Sequence, residues 1–137
     1  MATDRHGCSG RVKVLLDTNA LLVPAQFGVD IYTELLGLIG DFEPVTLEEV
    51  VNELAGLARG CGRDAVAARV GMALARRSTI VPSESDAESV DERLLEYARR
   101  EKCVVVTNDR ELREALLREG LDVVSMRKRK TLDLIRG

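Results

Sequence analysis

Val12-Lys13-Val14-Leu15-Leu16-Asp17-Thr18-Asn19 and Val104-Val105-Val106-Thr107-Asn108-Asp109 are the two stretches on which the fold of this chain turns. Each is a short apolar run that stops at polar residues and an aspartate, the pattern of a strand buried on both faces. If both strands run parallel in one sheet, Asp17 and Asp109 emerge at the same carboxyl edge, where open α/β sheets place their sites.

Working outward, Pro24 to Gly28 reads as a turn, and Ile31, Leu35, Leu38 and Ile39 recur at helical spacing between a capping Asp30 and a terminating Gly40. Glu43 to Val45 is a second strand. Thr46, with Glu49 three positions on, is expected to cap a helix whose inward stripe is Leu47, Val50, Val51, Leu54 and Ala58. Gly60 and Gly62 break that helix, Arg63 to Arg76 resumes it, and Thr79 to Val81 is a third strand. Val90, Leu94, Tyr97 and Ala98 define a further helix leading to a strand at Cys103 to Val106. Asn108, partnered by Glu111, is expected to cap the next helix, and Val123 with Val124 forms a fifth strand. The tail from Arg127 to Gly137 opens with four basic residues and closes with an amphipathic Leu132 to Ile135. Strands alternating with helices indicate one α/β domain over residues 11–137, with a parallel sheet covered on both faces. Residues 1–10 are expected to be a loosely held tail.

The 137 residues, 45% hydrophobic and 31% charged, suit a single globular domain with a sizeable core, and aromatics at 3% leave that core to Leu, Val, Ile and Ala. No apolar run approaches the roughly 20 residues that span a bilayer, and no apolar segment of a secretion signal opens the chain, so a cytoplasmic protein is expected. Cys8, Cys61 and Cys103 are widely spaced, which argues against a zinc site or a disulfide framework. A net charge of −3 argues against coating nucleic acid by bulk charge and leaves local basic patches open.

Two further acids draw attention by helical phase. Glu53 and Asp91 both border an apolar stripe, where a lone carboxylate loses hydration unless a cation or hydrogen bonds compensate. Each candidate has a plainer reading. Asp109 can serve its helix's N-terminus electrostatically, Glu53 can be a boundary residue paired with an arginine, and most of the 23 acids are solvated. Converging acids repel one another, and a divalent ion relieves that repulsion; oxygen-only ligation suits Mg²⁺ or Mn²⁺. His6 lies in the tail, so no Ser-His-Asp or Cys-His arrangement can be built, and phosphate-cradling glycine loops are absent. Metal-activated water acting on a phosphodiester is the chemistry such a cluster supports.

Leu15-Leu16-Asp17-Thr18-Asn19-Ala20-Leu21-Leu22, Pro24-Ala25-Gln26-Phe27, Glu53, Asp91 with Leu94 and Ala98, and Thr107-Asn108-Asp109-Arg110-Glu111-Leu112 occur in an order that resembles the PIN domain family. Within it, the chain is similar to the archaeal branch close to ribosomal-RNA-processing and VapC-like members. The resemblance implies a three-layer α/β/α sandwich with a five-stranded parallel sheet of order 3-2-1-4-5, and a Mg²⁺- or Mn²⁺-dependent endoribonuclease. It implies Asp17, Asp91 and Asp109 as the main metal-binding acids and Glu53 as the fourth, binding directly or through water. Asn19 would steady Asp17, Thr107 would hydrogen-bond near metal or phosphate, and Asn108 would cap its helix; Asp86 is the substitute for Asp91 if that helix is phased differently. RNA, ribosomal RNA among the candidates, is the implied partner. Arg110 and the run Arg127-Lys128-Arg129-Lys130 are candidates for its phosphates, with a solvated turn as the plainer reading. The helix around Tyr32 and Leu36 is a candidate homodimer surface, as in many relatives. The Pro24-to-Phe27 stretch looks more like the RNA-processing branch, so that role comes first; a toxin of a toxin–antitoxin pair, with an antitoxin partner, and a weakly active or non-catalytic module binding RNA or protein are the competing roles. Phosphatase and receiver sites on similar sheets fit less well, because Asn19 stands where the former needs an acid and Leu16-Asp17 supplies one acid where the latter needs two.

Overall fold

The computed structural model of the chain describes residues 11–82, 84–127 and 131–137. β1 (Val12–Leu16) leads into α1 (Thr18–Phe27) and α2 (Ile31–Ile39), then β2 (Phe42–Leu47), α3 (Glu48–Ala58), α4 (Arg63–Ala75) and β3 (Thr79–Val81). α5 (Val90–Glu101), β4 (Val104–Val106), α6 (Arg110–Arg118), β5 (Val123–Arg127) and β6 (Thr131–Ile135) complete the described chain. The sheet order is β3-β2-β1-β4-β5-β6. Its first five strands are mutually parallel in the order expected from the sequence.

The sixth strand corrects the five-strand expectation. β6 runs antiparallel to β5, with Val124 opposite Leu134 and Met126 opposite Leu132. The amphipathic Leu132 to Ile135 is therefore strand, with Leu132 buried. Four residues are too few to show whether an apolar pattern has a helical or a strand period.

Consecutive residues of a strand face opposite sides. Val14, Leu15 and Leu16 are all fully buried, as are Val123 and Val124, so both faces of the sheet are covered. α1, α3 and α4 pack together, α5 pairs with α6, and α2 lies against β6. Tyr32 of α2 is buried, donates its hydroxyl to the Leu74 carbonyl at 2.6 Å and lies under the Arg77 guanidinium, whereas Leu36 of the same helix is 55% exposed. Of the cysteines, Cys61 is exposed and Cys103 buried, both as free thiols, and burial pushes Cys103 up to about 12. Cys8, like the tail expected over residues 1–10, lies outside the described residues. Among the described residues no single helix is long and apolar enough to cross a membrane.

Two local expectations change for physical reasons. Pro24 lies inside α1 rather than in a turn, and the helix ends at Gly28, whose left-handed backbone (φ 68°) returns its N–H to the Pro24 carbonyl. Packing of α1 on α4 holds a helix that a proline interrupts by one hydrogen bond. Thr46 does not cap α3: it is fully buried in β2, its hydroxyl is 2.7 Å from that of Ser78, and α3 starts after Leu47 without a side-chain cap.

The α1–α4 contact depends on Gly71. A Cβ there would lie 2.8 Å from the Leu21 carbonyl oxygen and 3.3 Å from Leu54 Cδ2. Gly71→Ala is expected to destabilise the fold by about 1–3 kcal/mol in urea unfolding. Gly37→Ala, in the exposed middle of α2 with nothing within 4 Å of the new methyl, is expected to stabilise it by about 0.5–1 kcal/mol.

Candidate active site

Asp17 is the residue after β1, and its backbone N–H donates to the Val106 carbonyl of β4 at 3.3 Å. Its extended backbone makes it the N-cap of α1, where its carboxylate accepts from the Ala20 N–H at 2.6 Å. Asp109 repeats the arrangement after β4: it caps α6 and accepts from the Leu112 N–H at 2.9 Å. Asn108 is therefore not the cap. It is exposed, and its side-chain oxygen instead accepts from the Met126 N–H of β5 at 2.7 Å.

Thr107 joins the two aspartates. It is buried, its hydroxyl hydrogen-bonds the Asp17 carboxylate, and its oxygen accepts from the Asp109 N–H at 3.0 Å. The loop after β4 is further held by Ser125, which donates to the Thr107 carbonyl at 2.8 Å and accepts from Arg113 at 3.2 Å. Asn19, expected to steady Asp17, lines the cavity with an exposed side chain and forms no hydrogen bond to it; the Ala20 N–H and Thr107 do that work.

Glu53 of α3 and Asp91 of α5 approach from the helices. Glu53 accepts from the Thr18 hydroxyl, tying α3 to the start of α1. One helical turn from Glu53, Glu49 pairs with Arg93 at 2.6 Å, and Arg93 also donates to the Ala87 carbonyl at 2.7 Å. This pair links α3 to α5, the two helices that carry Glu53 and Asp91. All four acids line one cavity of about 550 Å³, whose apolar walls are Leu22, Leu57, Val90 and Leu94. Among the described residues no basic side chain is in that lining, and Asp86 does not reach it.

Burial raises Asp17 from the usual 3.8 to about 6 against the hydrogen bonds of Thr107 and Ala20, with the charges of Asp91 and Asp109 adding to the rise. Asp91 is raised as well, first by burial and then by Asp109, Glu53 and Glu111. By charge and donor chemistry the cavity fits a hard divalent cation. The carboxylates share the cavity without converging on one point: among the described residues no three acidic, His or Cys side chains are gathered to hold an ion.

Of the expected RNA contacts, Arg110 is exposed and paired with Glu114 at 3.2 Å. Arg127 ends β5, and Lys128, Arg129 and Lys130 lie outside the described residues. Thr18, Ser125, Arg113 and the Glu49–Arg93 pair were not singled out by the sequence. Only Thr18, adjacent to Asp17, carried a positional signal; the others are brought in by contacts between elements.

A sequence model described as "PIN like domain" matches residues 14–129. Ribonuclease VapC4 of Methanocaldococcus jannaschii is 30% identical over 127 residues, covering 89% of this chain and 95% of that protein. Among solved structures, the PIN domain endonuclease Utp24 aligns with a TM-score of 0.74 at 23% identity, over 91% of this chain and 92% of the other. A domain of a functionally unknown protein from Methanocaldococcus jannaschii aligns with a TM-score of 0.61 at 15% identity, over 85% and 91%. Identities this low make both structures statements about fold. The family pattern over residues 14–129 and a 30% identical relative matched over most of its length both lead to one assignment: the chain belongs to the PIN-like domain family.

Proposed function

We propose that this protein is a divalent-metal-dependent endoribonuclease in which Asp17, Asp91 and Asp109 are the principal metal-binding acids and Glu53 the fourth. The observation that carries the proposal is the single cavity lined by all four carboxylates and by no described basic residue. The relative named a ribonuclease supports RNA as the substrate. Mg²⁺ or Mn²⁺ supplies activated water and offsets charge on the phosphate when bound. Asp17 and Asp109, each fixed by a backbone N–H, present carboxylates whose positions do not depend on flexible side chains. Glu53 is steadied by Thr18 and completes the acidic wall from α3. Among the described residues the lining holds no His, Lys or Cys, so its titratable groups are the carboxylates themselves.

A toxin-type role with an antitoxin partner is the second reading, favoured over ribosomal RNA processing by the relative that carries the VapC name. The likeness to Utp24 supports the fold, at 23% identity, and adds nothing on ribosomal RNA.

Purified protein is expected to cut labelled RNA internally with Mn²⁺ or Mg²⁺ and to stop on addition of EDTA. Asp17→Asn and Asp109→Asn are each expected to lower the rate by about a hundredfold or more. Metal-dependent cutting at an unchanged rate in both variants would refute the assignment.

Asp17 also has a stability signature. Well below pH 3.8, its carboxyl is protonated in the folded and unfolded chain alike. Between pH 4 and 6 the unfolded chain releases the proton while the folded one keeps it, so stability falls as pH rises, by about 3 kcal/mol in total. Asn caps a helix about as well as Asp. In metal-free buffer, Asp17→Asn is therefore expected to melt several degrees above the parent at pH 8 and level with it near pH 3. Added Mn²⁺ is expected to raise the parent's melting temperature and leave the variant's nearly unchanged.

A further inference from the structure

An RNA strand approaching a cavity of four carboxylates meets repulsion unless a nearby basic surface holds its phosphates. Arg110 is paired with Glu114 within one helix face, which reduces its claim. The described chain offers another surface. Between Leu54 and Pro82 the sequence holds five arginines, at positions 59, 63, 69, 76 and 77, against one acid, Asp64, in a protein of net charge −3. All five are exposed, and none forms an ion pair with a described residue. Arg93, Arg99, Arg100 and Arg136 are by contrast all held by acids.

Three of the five gather at the turn between α3 and α4, and that turn adjoins the acidic cavity. Gly56 and Leu57 line the cavity, and a Cβ on Gly56 would lie 3.8 Å from the Arg59 guanidinium nitrogen Nη2. Arg69 donates to the Gly60 carbonyl at 3.2 Å, so it lies against the same turn, and Arg63 opens α4. Arg76 and Arg77 lie at the far end of α4, where Arg77 covers Tyr32.

We propose that the α3–α4 turn is a phosphate-binding surface, in which Arg59, Arg63 and Arg69 hold the backbone of a single RNA strand as it runs from the acidic cavity past Leu57. The inference rests on the ribonuclease assignment and adds where the substrate is gripped. Arginine guanidinium groups suit phosphate oxygens by geometry as well as charge. Phosphate contacts of this kind fix position without reading sequence.

The test is fluorescence anisotropy of a labelled, unstructured RNA in EDTA, where cutting is suppressed, across a salt series. The triple variant Arg59→Gln/Arg63→Gln/Arg69→Gln is expected to bind about tenfold or more weakly at low salt, and its log–log salt slope is expected to shrink by about 2, near 0.7 per lost contact. Arg59→Glu/Arg63→Glu, which spares the Arg69–Gly60 bond, is expected to weaken binding at an unchanged melting temperature. Arg118→Gln serves as the control with unchanged binding. If the parent binds RNA and both variants bind it with the same affinity and slope, the surface does not hold RNA and the proposal is overturned, leaving an acidic protein partner as its use. If the parent binds no RNA even at low salt, the ribonuclease assignment falls with it.

Discussion

Two hydrogen bonds, from the Ala20 and Leu112 N–H groups to Asp17 and Asp109, are the constraint on which the site depends. Each aspartate ends a buried strand and begins a helix, so it must turn the chain, cap the helix and stand in the cavity. The three demands agree, because the side-chain conformation that caps a helix also fixes one carboxylate oxygen against the backbone. Leu16 is paired with Val106 in the β1–β4 register, which sets the two caps side by side. Thr107 then bridges them, and neither acid can shift without disturbing a buried hydroxyl.

The same economy explains the electrostatics. Asp17 is 4% exposed, with two hydrogen bonds to its carboxylate and two other acids acting on it, and burial outweighs the hydrogen bonds. A fold selected for stability alone has no reason to keep a carboxylate there. Stability surrendered at a functional position is a familiar pattern, and the compensation lies in the surrounding core of Leu15, Leu16, Val105 and Val124, all fully buried.

Much of this was legible in the residues. Continuous apolar runs broken by Asp17 and Asp109 announced parallel strands and their common edge, and the parallel strand order followed from the family resemblance. What escaped the sequence was decided between elements. Asn108 and Asp109 are both good caps by type, and the Asn108 side chain is drawn away by Met126 of a different strand. Thr46 has the local signature of a cap, but β2 extends through Leu47 and Ser78 takes its hydroxyl. Pro24 reads as a breaker until α4 packs on α1. Tyr32 is drawn inward by the Leu74 carbonyl, a partner that nothing local in the sequence shows. Asp91 and Glu53 were placed by helical phase, which indicates the face and leaves the separation from the strand-end acids open.

The β1–β4 pairing has a consequence for when the protein becomes a finished object. Leu16 and Val106 are neighbours in the sheet although about two-thirds of the chain separates them, whereas β1 and β2 are joined by a far shorter connection. Closing that long loop is the entropically demanding step of folding, and local pairings precede it. During synthesis, a chain that has emerged only as far as α5 holds Asp17, Glu53 and Asp91 but has neither the strand that positions Asp109 nor Thr107 to bind the first aspartate. The full acidic set thus exists only once the chain has been made past Asp109, so a shorter nascent chain surrounded by RNA on the ribosome carries no assembled site.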